Sequence, residues 1–347
     1  MARAQPQDET PQREYDEIPG VTPPEQTRAL FGHATARDAV LDAHQEGKLH
    51  HGWLVHGPRG IGKATLAFDL ARSLLARSSD QSAEVVSEQI AQGAHPNVTL
   101  LRRRPNPKTG RFGTQITVDD VRRVNSFFHH SSARAGLRIA IVDALDDLNR
   151  NAANALLKTL EEPPASSLFI LIAHRPGTVL PTIRSRTRSL SLQPLSPEDT
   201  ERAVTAQTDT DDTGDLEHAL SLAHGRPRKA FEVLRLTDSA ALDALETWLS
   251  HAERHSGTDH LEIAAALTAK RDSGGFHLAL ERIADWLAAE TRHAALTRAG
   301  GRWRLESLLA LWDKAQALAQ EQQIYNLDRQ QTLLTILDDV RTLPRAE

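Results

Sequence analysis

No cysteine occurs anywhere in the 347 residues. That absence excludes disulfides, thiolate-held metals and cysteine nucleophiles together. An excess of positive charge is also missing: 41 Lys and Arg stand against 46 Asp and Glu, a formal net charge of −5. The chain as a whole has no general attraction for nucleic acid, so any DNA contact must come from a local basic face. No apolar run approaches the ~18 residues that would cross a bilayer. The opening stretch, MARAQPQDETPQREYDEIPGVTPPEQ, lacks the apolar segment of a secretory leader. A cytoplasmic protein is the expectation. The residues present, 39% hydrophobic and 25% charged, have the balance of a globular protein. The chain is long enough for two or three domains.

Residues 1–26 are proline-rich and poor in apolar side chains, and read as a disordered tail. Residues 27–192 read as an α/β domain. Short apolar strands are expected near 52–56, 98–101, 139–142 and 168–173, with helices near 34–46, 63–76, 118–128 and 148–162. Continuous apolar strands alternating with helices predict a parallel sheet covered on both faces. Pro163 and Pro164 stop the last of these helices. Residues 78–91 read as a polar stretch. After Leu192 the character changes. Ser196 caps a helix opening with Pro197, Glu198 and Asp199, and residues 193–240 read as a small helical lid. Residues 241–347 read as all-helical, with Leu305, Leu308, Leu309, Trp312, Ala315 and Leu318 at helical spacing, as are Leu333, Leu337 and Val340. Trp286, Trp303 and Trp312 are expected to pack within that bundle or at its interfaces with other subunits.

The chemistry concentrates in GPRGIGKATL, residues 57–66. Gly57, Gly60 and Gly62 suit a loop that turns successive N–H groups inward at a helix N-terminus, an anion nest. Lys63 would reach the β and γ phosphates. The alternative is a glycine-rich turn with no ligand. The next residue should be Ser or Thr, to hold magnesium, and here it is Ala64. Thr65 is no simple substitute, since one step along a helix rotates the side chain by roughly 100°. The strand RIAIVDALDD supplies the second metal ligand of such sites, Asp143. The Glu expected after it, which positions the attacking water, is replaced by Ala144. Asp146 and Asp147 are expected to cap the following helix. Two losses in separate segments predict that the chain alone hydrolyses no ATP. The retained loop still leaves room for ATP or ADP held without hydrolysis, and no cofactor is required.

The segments HGWLVHGPRGIGKATLAFDLARSLL, GAHPNV, ITVDDVRRV, RIAIVDALDDLNRNAANALLKTLEEPP, LPTIRSRTRSL and HGRPRKAFEVL occur in the order found in bacterial clamp-loader subunits. The chain resembles that AAA+ family from about Leu30 to Leu236, and its degenerate motifs match the delta-prime kind rather than the ATP-consuming gamma/tau kind. The resemblance implies a P-loop AAA+ α/β domain, a helical lid and an all-α collar that oligomerises. It implies a ring with delta and gamma/tau subunits, which loads a sliding clamp onto primer–template DNA in replication. The family's Ser-Arg-Cys motif falls on Ser185, Arg186 and Thr187. It implies that Arg186 serves as a finger in trans, stabilising charge on a neighbour's γ-phosphate. Without the family, spacing alone favours reading Arg186 as a surface arginine among Arg184 and Arg188.

GRPRKA resembles the family's second sensor, placing Arg228 at the nucleotide; a surface arginine of the lid is the alternative. His174 follows the last apolar strand, where a polar sensor normally sits. Relatives with a four-cysteine zinc module carry it where residues 78–94 stand here; without cysteine, His95 alone cannot hold zinc, which takes four ligands, and no metal is expected. Residues 101–138 contain nine Lys and Arg against two Asp. Arg102, Arg103, Arg104, Lys108 and Arg111 are candidates for sequence-blind contacts to DNA phosphates, with a merely solvated loop as the alternative. Three rivals stay in play: a catalytically active gamma/tau-like ATPase, a small-molecule phosphotransferase, and a DNA-binding adaptor outside any ring.

Overall fold

A computed structural model describes residues 15–105, 112–129, 136–208, 213–236, 240–250, 258–269, 274–297 and 301–343. The chain divides into two compact units, residues 1–231 and 232–347.

The first unit follows the expected alternation. Helix α1 (Ala34–Gln45) leads into β1 (Gly52–His56), and α2 (Lys63–Ser78) follows the phosphate loop. Then come α3 (Ala83–Ala91), β2 (Val98–Leu101), α4 (Val118–His129), β3 (Arg138–Asp143), α5 (Arg150–Glu161) and β4 (Ser167–Ala173). A single turn, α6 (Pro181–Arg184), precedes β5 (Arg188–Ser191). The five strands form one parallel sheet in the order β2-β3-β4-β1-β5. Because side chains alternate along a strand, β1 to β4 each feed two cores. Val55, Ile141 and Ile170 face Leu66, Leu70 and Leu74 of α2. Leu54, Val142 and Leu171 face Val124 of α4 and Leu156 of α5.

The polar stretch at 78–91 is not a loop. Ser82 accepts a hydrogen bond from Val85 N and starts α3, which buries Val86 and Ile90 against α2. Only two apolar side chains anchor it, too few to show as a periodic signal. β5 likewise carries no local signal: its RSLS has no apolar run, and it is held as an edge strand by backbone pairing to β1.

Ser196 caps α7 (Pro197–Thr205) as expected, accepting from Asp199 N at 3.1 Å. Helices α8 (Thr213–Ala223) and α9 (Pro227–Leu234) follow. The second unit continues through α10 (Ala240–Ser250), α11 (Asp259–Thr268), α12 (Gly275–Thr297), α13 (Gly301–Tyr325) and α14 (Arg329–Arg341). Leu333, Ile336, Leu337 and Val340 are buried along α14. On α13 the buried positions among the described side chains are Arg304, Leu308, Leu311 and Gln322, while Leu309 and Trp303 are exposed. Of the expected stripe, Leu308 is buried, Leu305, Trp312, Ala315 and Leu318 are half-buried and only Leu309 is exposed; Arg304 joins the buried face by pairing with Glu290 at 3.0 Å.

Candidate functional site: a P-loop pocket with an internal guanidinium

Three positive-φ glycines shape the loop between β1 and α2: Gly57 (151°), Gly60 (85°) and Gly62 (97°). A Cβ on Gly57 would lie 2.4 Å from the Leu192 carbonyl oxygen, and one on Gly60 would lie 2.9 Å from Cβ of Arg228. Both left-handed backbone and close approach therefore require glycine. Lys63, the first residue of α2, is buried and folds back on the loop. Its ammonium donates to the carbonyls of Gly57 (2.7 Å) and Pro58 (2.5 Å). Burial pushes its pKa down to about 7, against the pull of Asp143 and Asp146.

Asp143 ends β3 where the sequence placed it. Its Oδ2 accepts from Nε (3.2 Å) and Nη2 (3.0 Å) of Arg102, which extends from the end of β2. Both side chains are nearly enclosed, 12% and 6% exposed. Glu25 lies 3.7 Å from the same guanidinium. Burial pushes the Asp143 carboxyl up, and Arg102 works against that push. Ala64 packs against the core and offers no oxygen.

These contacts correct the expected DNA contacts. Arg102 is committed to Asp143. Arg103 pairs with Asp147 and stacks over the Tyr15 ring at 4.6 Å. Neither guanidinium is available to a phosphate backbone, because each answers a buried carboxylate. Arg104 is exposed. Lys108 and Arg111 lie outside the described residues.

The expected caps are corrected too. Asn149, not Asp146 or Asp147, caps α5, accepting from Ala152 N at 2.9 Å. Asp146 accepts from the backbone N–H groups of His174 (2.7 Å) and Arg175 (3.0 Å), clamping the turn after β4. Asp147 receives the Tyr15 hydroxyl at 3.0 Å besides Arg103. His174 is held neutral: burial, then the neighbouring cations Lys63, Arg59, Arg228 and Arg175, push its pKa well down.

Residues 15–26 do not form a free tail. They line the pocket beside the phosphate loop, where Arg228 donates to the Asp16 carbonyl at 2.7 Å, with the Asp16 carboxylate 3.6 Å away. Composition hid this, because these residues contribute a few specific contacts rather than a periodic apolar face. Together they enclose a cavity of about 190 Å³. Its lining combines apolar side chains, among them Ile18, Val21, Leu30 and Phe231, with the cations Lys63, Arg59, Arg102 and Arg228 and the carboxylates Asp16 and Asp143. Apolar walls and cations together suit a ligand with a flat base and a phosphate tail.

Arg186 stands elsewhere. The Arg186 carbonyl oxygen lies 3.4 Å from a Cβ built on Gly52, at the start of β1, whereas the phosphate loop begins after its end. Five strand residues at ~3.3 Å each separate them by roughly 16 Å. The guanidinium is 37% exposed. It donates to Thr182 O (3.1 Å) and Ser185 Oγ (3.3 Å), and pairs with Glu161 at 2.9 Å. Ser185 Oγ in turn donates to Thr182 O.

Residues 32–196 match the family described as DNA polymerase III, delta subunit. DNA polymerase III subunit delta′ of Pseudomonas aeruginosa is 35% identical over 140 residues, covering 39% of this chain and 41% of that protein. The Escherichia coli subunit delta′ is 32% identical over 204 residues, 57% and 58% of the two chains. DNA polymerase III subunit gamma of Buchnera aphidicola subsp. Schizaphis graminum is 30% identical over 176 residues, 51% and 47%. The chain thus spans about half the length of these relatives, and over that span it is delta-prime-like. Among the described residues, no helix is long and apolar enough to cross a membrane.

Proposed function

We propose that this chain is the delta-prime-type subunit of a DNA polymerase III clamp loader, working in a ring with gamma/tau and delta subunits. In this reading it hydrolyses no ATP itself and lends Arg186 to ATP held by a neighbour. The ring loads the sliding clamp onto primer–template DNA in the cytoplasm. The observation that carries the reading is the separation of the two halves of the apparatus. Arg186 is partly exposed and held by Ser185, Thr182 and Glu161, yet it lies a strand's length from this chain's own phosphate loop. A finger so placed can reach only a phosphate bound by another molecule. Meanwhile the chain's own metal position has lost one oxygen at Ala64, and the other, Asp143, is taken by Arg102. Magnesium does not fit these residues, so no hydrolytic step is drawn through it.

The rival active ATPase draws on the retained Lys63 and Asp143 and on the similarity to gamma subunits. It lacks the hydroxyl at 64 and the water-positioning carboxylate at 144. Co-purification of the full chain with gamma/tau and delta subunits, followed by ATPase assay of the chain alone, separates the readings. Stable assembly with no turnover above background is the expected result. Turnover by the isolated chain that Lys63→Ala abolishes would overturn it.

A further inference from the structure

P-loop sites use a divalent ion for two tasks: it neutralises phosphate charge, and it is anchored by a Ser/Thr hydroxyl and a strand-end aspartate. In this chain the aspartate remains and its partner is a side chain. Arg102 makes two charge-assisted contacts to one Asp143 oxygen, 3.2 and 3.0 Å, in a setting where both groups are almost wholly removed from water. A guanidinium carries its proton at any ordinary pH, so this cation does not dissociate. Arg102 borders the same cavity as Gly60, Lys63 and Arg228. Its Nη1 group lies 3.7 Å from Glu25.

We propose that Arg102 takes the place of the divalent ion at Asp143, and that the pocket binds a nucleoside di- or triphosphate without any metal. This rests on the reading of the cavity as a nucleotide pocket, and is independent of ring assembly. Arg102 answers the Asp143 carboxylate, so that carboxylate neither calls for a metal nor repels the phosphates, and Lys63 and Arg228 supply the charge that meets them. A hydrated magnesium ion would have to displace a buried guanidinium and find no hydroxyl at position 64. An immobile cation also explains why a phosphate cradle persists in a chain without hydrolytic groups. It can hold nucleotide as a fixed part of the structure, with nothing to carry the phosphoryl group onward.

Equilibrium binding of ADP to the full chain, in millimolar EDTA and in millimolar magnesium, tests this. The expected dissociation constants agree within about twofold, since metal capture contributes nothing. Arg102→Met should weaken binding in EDTA by about tenfold or more, because it uncovers the Asp143 carboxylate as a like charge beside the phosphates. Addition of magnesium should restore part of the loss, because Asp143 is then free to hold it. Arg102→Lys, which keeps a cation, should remain independent of metal. Binding by the unaltered chain that falls more than tenfold in EDTA overturns the proposal. So does undetectable ADP binding in both conditions, and so does an Arg102→Met chain that binds as tightly in EDTA as the original. The unaltered chain alone decides the first two, whatever the variants do to folding. Failure of the clamp-loader reading would appear separately, as a chain that does not assemble with gamma/tau.

Discussion

Removing the Arg102 guanidinium should unsettle the first unit, and the structure sets the scale. Arg102→Met keeps most of the side-chain volume but leaves Asp143 as a buried carboxylate without its cation. Stripping one partner from a buried pair costs about 3–5 kcal/mol. At about 2–4 °C per kcal/mol for a unit of this size, the melting temperature should fall by roughly 6–20 °C. The loss must depend on pH. Burial already raises the Asp143 carboxyl, and without Arg102 nothing nearby holds it down as strongly. A carboxyl with a raised folded-state pKa binds a proton that the unfolded chain releases, so stability falls as pH rises through that window. The variant should therefore lose more at pH 8 than at pH 5. Arg102→Met combined with Asp143→Leu removes the buried pair and leaves only Glu25, the more exposed of the two carboxylates, without its cation; it should regain part of the loss, because an apolar pair of similar volume can replace a buried ion pair at little cost. Calorimetric melting, with separate transitions allowed for the two units, is the assay. A single variant within 1 kcal/mol of the original, or a double variant that sums the two single losses, would refute the pairing argument.

Two further outcomes follow from the pocket. Lys63, with its pKa lowered to about 7 in the ligand-free chain, is charged below that value, and above it must gain a proton to meet a phosphate. ADP affinity should fall by up to about tenfold per pH unit above pH 7, and Lys63→Met should abolish that slope; a flat profile in the original chain contradicts the role. Asp16 occupies Arg228 in the pocket, so Asp16→Ala should tighten ADP binding several-fold by removing a like charge from beside the phosphates, and unchanged affinity would exclude the carboxylate as a competitor.

The legible part of the fold was the part with strong local signals. β1, β4 and α2 are continuous apolar runs or helices opened by an unmistakable glycine loop. Asp143 and Lys63 stood in motif positions, and Ser196 preceded a Pro at the start of α7. What stayed hidden depends on pairing across long sequence distances. The partners Arg102 and Asp143 are 41 positions apart, and nothing in RRR distinguishes a buried guanidinium from a solvated one. Residues 15–26 are polar and look untethered until Tyr15 meets Asp147 and Asp16 meets Arg228. Asp146 resembled a helix cap by spacing alone, while its actual duty is to the turn after β4. Those corrections all concern charged groups, whose place in a fold is fixed by their partners rather than by periodicity.

The most direct measurement is ATP turnover by the reconstituted gamma/tau–delta complex containing this chain with Arg186→Ala. Loss of a trans guanidinium costs about 10³–10⁵ in rate where such fingers act. The site facing this subunit should therefore fall nearly silent while the complex still elutes as one species. Undiminished turnover at every site of an intact complex would contradict the account.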